Sequence, residues 1–189
     1  MKIIAITGKS GSGKTFVSNA IASASNAKVL SFDKFSHAAL QTDSLKQFAL
    51  ENFGNSVFDE NGEINRKKLG QIAFANQSLL KQWNALAEQK MIESIDQELK
   101  NSQNETIIIE YALLPQMKYF QMADLKILIE ANFETRKNRI ISRDSISEEY
   151  FLLRENNSLE YNKDEYDFVV TNDTITSNLT EIIKKIKEK

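Results

Sequence analysis

The run Gly8-Lys9-Ser10-Gly11-Ser12-Gly13-Lys14-Thr15 matches the spacing G-x-x-x-x-G-K-[ST]. Glycines at this spacing let the backbone curl until successive N–H groups point inward and make an anion nest. A helix starting at Lys14 would add its partial positive charge at the same spot. Lys14 is placed to reach the β- and γ-phosphates of a nucleotide, and the Thr15 hydroxyl to ligate Mg²⁺. Gly8, Gly11, Ser12, Gly13, Lys14, Thr15 and Phe16 are therefore the expected nucleotide-binding residues, with ATP and Mg²⁺ the expected ligands.

Two carboxylates stand at strand ends. Glu110 closes the apolar run Thr106-Ile-Ile-Ile-Glu110, where phosphate-loop proteins place an acid that holds Mg²⁺ or its waters, so Thr15 and Glu110 form the expected metal pair. Asp33 closes Lys28–Phe32, and two roles are open to it. It can cap the helix expected from Lys34, or accept the proton of a substrate hydroxyl at the carboxyl edge of an α/β sheet. Arg136, Arg139, Arg143 and Arg154 follow the fourth strand, where mobile cations could close over a transferring phosphoryl group.

The elements that must hold these residues alternate. Strands are expected over Lys2–Thr7, Lys28–Phe32, Thr106–Glu110, Leu125–Glu130 and Asp167–Thr171. Helices are expected over Lys14–Ala24, Asn132–Arg143 and Thr174–Lys189. Ile175, Leu179, Ile182, Ile183 and Ile186 share one face of the last. Such alternation implies a parallel α/β sheet with right-handed crossovers. About seventy residues separate the second and third strands, too many for one crossover helix, and read as an inserted helical subdomain. Trp83 reads as core packing there and His37 as a surface or capping residue; Tyr161 and Tyr166 could stack on a base but read by default as ordinary packing residues.

Composition narrows the classes. The chain has 189 residues, 41% hydrophobic and 26% charged, with a net charge of -2, no cysteine and one histidine. That suits one compact domain with a core. It excludes disulfides and thiolate or histidine-rich metal centres, and shows no bulk attraction to nucleic acid or anionic membrane. The apolar run opening MKIIAIT is too short for a signal peptide or a membrane span, so the expected location is the cytoplasm. A guanine-specific switch would want Asn-Lys-x-Asp, and Asn162-Lys-Asp-Glu165 misses it by one position.

On these residues the chain resembles the dephospho-CoA kinase family over nearly its whole length. The phosphate motif matches, and in SFDKF the family's catalytic aspartate falls on Asp33. In FGNSVFDENGEINRKKLGQIAF the family's pattern falls on Phe53, Gly54, Asp59, Gly62, Ile64, Arg66, Leu69 and Phe74. RIISRDSISEEYFLLR is similar to the family's lid, with Arg139, Arg143 and Arg154 on its arginines, and VVTND puts Asn172 near the expected adenine pocket. The chain departs from the family pattern at His37, where an arginine is usual, and at Glu88 and Gln89, which replace a His-Pro pair. EYALLPQ keeps Leu113 and Leu114 but carries Glu110 and Gln116 at its ends.

The resemblance implies a three-layer P-loop kinase fold with a five-stranded parallel sheet. The core would cover about 1–33, 104–143 and 165–189, with a helical acceptor subdomain over about 34–103 and a lid over about 144–164. It implies transfer of the ATP γ-phosphoryl group to the 3′-hydroxyl of dephospho-CoA. Asp33, Lys14 and Arg143 would be catalytic, Arg139 and Asn172 nucleotide-binding, and Asp33, Arg66 and Leu113 acceptor-binding. The substrates are small molecules, with no nucleic acid or membrane, and the chain is expected as a monomer or weak homo-oligomer. The alternatives are a kinase of another small acceptor, such as a nucleoside or nucleotide, and a nucleotide-dependent switch or assembly ATPase.

Overall fold

The computed structural model describes residues 1–73, 76–173, 180, 183 and 184. They fall into two compact units, one of Met1–Ser31 with Gln103–Lys189, the other of Phe32–Ser102.

The first unit is built on a five-stranded, all-parallel sheet. Its strands are β1 (Lys2–Thr7), β2 (Lys28–Ser31), β3 (Thr106–Glu110), β4 (Leu125–Glu130) and β5 (Phe168–Thr171), in the order β2-β3-β1-β4-β5. The β-branched runs that predict these strands form them because both faces of the sheet are covered. Ile4, Ile6, Ile108, Ile127 and Ile129 pack with Val17 and Ile21 of α1 (Lys14–Ser25) in a closed core. Register brings three carboxyl ends level, since Glu110 of β3 pairs with Ile6 of β1 and with Ser31 of β2. Ligands bind at these carboxyl ends in open parallel sheets.

Beyond β3 lie a short helix, α6 (Lys118–Gln121), then α7 (Phe133–Asp144) and α8 (Glu148–Asn156). The side chain of Asn132 caps α7 by accepting from Thr135 N–H, 2.8 Å away, and Ser147 caps α8 by accepting from Tyr150 N–H. Between them Ser145 takes a left-handed conformation with φ 50°. Phe151 of α8 is buried and packs edge-on against Phe133 of α7. Most of the helix expected over Thr174–Lys189 lies outside the described residues, Ile175, Leu179, Ile182 and Ile186 among them. Thr180, Ile183 and Lys184 are helical.

The second unit is helical, with α2 (Phe32–Ala39), α3 (Asp43–Phe53), α4 (Arg66–Ala73) and α5 (Gln77–Asn101). Trp83 is buried there, its ring 6.0 Å from those of both Phe48 and Phe53, so it is core as expected. A turn through Asn61 and Gly62 closes an antiparallel bridge between Phe58 and Ile64. There Asp59 Oδ1 accepts from Asn61 N–H and Glu63 N–H. Phe74 lies outside the described residues. No described helix is long and apolar enough to cross a membrane.

Candidate active site

The loop from Gly8 to Gly13 joins the buried end of β1 to the first turn of α1. Its three glycines are all demanded by close approach, Gly11 and Gly13 from the residues that also hold the loop. A Cβ on Gly13, where φ is 90°, would lie 2.0 Å from Asn172 Nδ2, and one on Gly11, where φ is 78°, would lie 2.8 Å from the Arg136 carbonyl. The neighbours that crowd the loop also hold it from outside. Arg139 donates to the carbonyls of Gly11 (3.1 Å) and Asn172 (2.9 Å). The buried Asn172 donates from Nδ2 to the Ser12 carbonyl at 2.8 Å. Ser12 N–H closes the turn by donating to the Lys9 carbonyl at 3.2 Å, and with the Gly11 and Ser12 carbonyls engaged on the outside the remaining loop N–H groups can turn inward as an anion cradle. Arg139 and Asn172, expected as nucleotide contacts, thus first of all fix the shape of the loop.

Inside the cradle Lys14 is buried and donates to the Lys9 carbonyl at 3.3 Å. Thr15 Oγ1 donates to Glu110 Oε1 at 2.7 Å. Glu110 is 2% exposed, and its second oxygen, Oε2, has no hydrogen-bond partner; the buried Ser12 hydroxyl has none either. A buried carboxylate oxygen left unpaired is costly. Beside a hydroxyl at the mouth of a phosphate cradle, it fits Mg²⁺ or a water of its shell. No cluster of three or more acidic or histidine ligands occurs among the described residues. Mg²⁺ needs none, because it takes one or two protein oxygens and fills its octahedron with phosphates and water.

Of the four arginines after β4, Arg136 is the buried one, 6% exposed. It makes a two-pronged ion pair with Glu155 of α8, both distances 2.7 Å, and donates from Nε to the Ala131 carbonyl. Lys9 Nζ reaches the same carboxylate at 3.3 Å and also pairs with Glu160. The Arg136 guanidinium, helped by Lys9 and opposed by burial, holds the Glu155 carboxyl below its ordinary value. Arg143 is exposed and points to Asp144, donating from Nε at 2.7 Å and from Nη2 at 3.1 Å; Arg154 shares that carboxylate. Arg143 and then Arg154 hold Asp144 below the usual carboxylate range.

Between the loop tip, the end of β3 and α8 lies a cavity of about 230 Å³. Lys9, Ser10, Leu113, Phe151, Arg154 and Tyr161 are among its lining residues. Leu113 is 39% exposed beside the buried Leu114. Tyr161 does more than pack. Its hydroxyl donates to the Ala112 carbonyl at 2.8 Å, the carbonyl that also accepts from Thr7 Oγ1, and burial raises its phenol pKa. Phe16 is exposed on the first turn of α1.

Asp33 and Arg66 belong to the helical unit. The helix after β2 starts at Phe32, two residues earlier than expected. Asp33 is therefore an exposed residue within its first turn and not the cap before it. The strand expected to reach Phe32 stops at Ser31 because Phe32 is already helical and buried. Arg66 opens α4, with Nη1 in hydrogen-bond contact with His37 Nε2.

Lys9, Glu155, Glu160 and Tyr161 were not singled out as site residues from the sequence, and Arg136 could not be ranked above its neighbours. Their partners lie 19 to 151 positions away along the chain, beyond any periodicity. The only local signal for Arg136 is its place one turn into α7 on the face of buried Ile140.

Comparison with known proteins agrees with this geometry. The family model for dephospho-CoA kinase matches residues 2–178. The dephospho-CoA kinase of Fusobacterium nucleatum subsp. nucleatum is 32% identical over 188 residues, covering 98% of this chain and 95% of that protein. That of Aquifex aeolicus is 30% identical over 192 residues, covering 100% and 97%. The crystal structure of TT1252 from Thermus thermophilus superimposes with a TM-score of 0.80 at 23% identity, covering 99% of this chain and 96% of that one. The dephospho-CoA kinase from Campylobacter jejuni gives 0.66 at 22%, covering 100% and 96%. At such identities the two structures show the fold, a P-loop kinase fold.

Proposed function

The chain belongs to the dephospho-CoA kinase family, and from that membership we propose how its own residues carry the reaction. It is an ATP-dependent kinase that transfers the γ-phosphoryl group to the 3′-hydroxyl of dephospho-CoA, with Mg²⁺. The phosphate loop cradles the triphosphate through its inward N–H groups, and Lys14 neutralises charge on the β- and γ-phosphates. Thr15 and Glu110 would hold Mg²⁺ or its waters, and the ion would neutralise charge on the β- and γ-oxygens. Arg139 and Asn172 keep the loop in register while bordering the nucleotide.

Asp33 follows the carboxyl end of β2 by two residues and, in this proposal, orients and deprotonates the acceptor hydroxyl. Arg66 grips the acceptor within the helical unit, and Leu113 offers it an apolar contact. Residues of about 144–164 act as the lid. Arg143 leaves Asp144 for the transferring phosphoryl group when the lid closes; its exposure makes that exchange cheap. A cytoplasmic location, the absence of nucleic-acid and membrane partners, and a monomer or weak homo-oligomer complete the proposal.

The Thr15–Glu110 pair supports it most directly, since it joins the phosphate loop to the acid ending the neighbouring strand. The test is kcat/KM for dephospho-CoA against adenosine, AMP and pantetheine. Dephospho-CoA should lead by at least about 100-fold, the discrimination a site gives when it loses several built polar contacts. Preference for AMP or a nucleoside would make the chain a kinase of another acceptor, and acceptor-independent hydrolysis would make it a switch.

A further inference from the structure

The loop GKSGSGKT carries two lysines with different partners: Lys14 is buried and donates back to the Lys9 carbonyl. Lys9 Nζ lies against two carboxylates, Glu155 Oε1 at 3.3 Å and Glu160 Oε1. With Arg136 also on Glu155, two cations meet two carboxylates, so the cluster is neutral and this ammonium has no surplus positive field to offer a polyphosphate. Glu155 is itself fastened to the buried Arg136. The Arg136 carbonyl in turn sits where a Cβ on Gly11 would clash. Lys9 is thereby tied to the α7–α8 frame that abuts the loop two residues later, at Gly11.

The other outside holds on the loop fall on its second half, from Arg139 to Gly11 and from Asn172 to Ser12. Lys9 adds a side-chain hold on the first half, beside the Tyr161 hydroxyl, which meets the Gly8 backbone. A loop with three glycines loses much backbone freedom when it closes on an anion, so prior fastening favours nucleotide binding.

We propose that Lys9 is an anchor and not a phosphate ligand: Lys9, Glu155 and Glu160 are positioning residues that hold the phosphate loop in its nucleotide-ready shape. The proposal rests on reading Gly8–Thr15 as the nucleotide site. It is independent of the acceptor.

The test is calorimetric binding of Mg²⁺ with a non-hydrolysable ATP analogue to the full chain, without acceptor, for Lys9→Met, Lys9→Arg and Glu160→Gln. Glu160 is 84% exposed at its side chain, where it pairs with Lys9, so its variant should fold. The anchor predicts a Kd about 3- to 10-fold higher for Lys9→Met and about 2- to 3-fold higher for Glu160→Gln, the scale of partly exposed ion pairs. Lys9→Arg should stay within about 2-fold of the parent, because arginine keeps the charge and the reach. In steady state Lys9→Met should raise the KM for ATP by a larger factor than it lowers kcat.

Tighter binding in Glu160→Gln would mean that freed Lys9 moves to the phosphates, and would overturn the proposal. So would an unchanged Kd in Lys9→Met, or a kcat loss larger than the KM change. If the expected Kd pattern appears while dephospho-CoA is not phosphorylated, the anchor stands and the acceptor assignment falls. Undiminished nucleotide affinity in Lys14→Ala would instead remove the nucleotide site on which the anchor rests.

Discussion

Thr15 Oγ1 donates to Glu110 Oε1 at 2.7 Å, so the first turn of α1 is tied to the last residue of β3 across 95 positions of sequence. Ile6 of β1 stands opposite Glu110 in the parallel register, which brings the acid to the strand from which the loop springs. The partner left over is Glu110 Oε2, buried and unpaired. A hydroxyl and a spare carboxylate oxygen at the mouth of an anion cradle are what a small hard cation requires.

Glu110→Gln keeps the shape and the acceptor for Thr15 but removes the charge. The Mg²⁺ concentration giving half-maximal velocity should rise about 10- to 100-fold, the usual cost of losing a ligand-orienting or ligating carboxylate. Melting should change little. A Mg²⁺ titration at fixed ATP reads it, and an unshifted midpoint would return Glu110 to a structural role.

Asn172 and Gly13 should be coupled, because one fills the space a side chain on the other would need. Asn172→Ala removes the bond to the Ser12 carbonyl at a cost of about 1–3 kcal/mol, the range for a buried polar group left unpaired. That should appear as a higher KM for ATP together with lower stability. Gly13→Ala should nearly abolish nucleotide binding, since the added methyl meets Asn172 at a backbone angle alanine resists. Equal nucleotide affinity in Asn172→Ala and the parent protein would mean the loop keeps its shape without that hold.

The strand–loop–helix around the phosphate motif was legible because every cue for it is local. A β-branched run, glycines at fixed offsets and a helical apolar repeat all fall within 24 residues of one another. Glu110 was legible for the same reason, at the end of the strongest apolar run. Its pairing with Thr15 was not, since register between β1 and β3 is decided by packing on two faces. Asp33 as a cap failed on a two-residue boundary shift, caused by Phe32 burying itself at once in the helix. Arg136 and Glu155 look like any surface helix charges in sequence. Only the packing of α7 and α8, set by Phe133 and Phe151, makes them a pair of a buried arginine and a half-buried carboxylate.

Glu155 gives the protein an acid-sensitive fastening. Arg136 foremost, with Lys9, holds its folded pKa below the ordinary 4.5. A lowered folded pKa means that the unfolded state takes up protons first. Its contribution is therefore complete above the ordinary value and is lost as pH falls through the lowered one. Asp144, held low by Arg143 and Arg154, acts in the same direction. Melting temperatures should hold from neutrality down to about pH 5 and then fall steeply. Glu155→Gln should melt lower at neutral pH and show a shallower acid decline. Parallel acid profiles for the two proteins would contradict this role.

Asp33→Asn separates base from bystander. As the base, Asp33 should cost about 10²- to 10⁴-fold in kcat when replaced, the usual contribution of a positioned general base. The loss should fall at the low end, because a loose transition state removes the hydroxyl proton late. Nucleotide affinity and melting temperature should hold. A kcat within a few-fold of the parent would retire Asp33 from proton transfer.

The most direct measurement follows radiolabel from γ-labelled ATP in the presence of dephospho-CoA or its 3′-deoxy analogue. Label should pass into a product that co-migrates with coenzyme A when dephospho-CoA is supplied, and none should pass to the 3′-deoxy analogue. Label released as inorganic phosphate regardless of acceptor, or transferred equally to both compounds, would contradict phosphorylation of the 3′-hydroxyl.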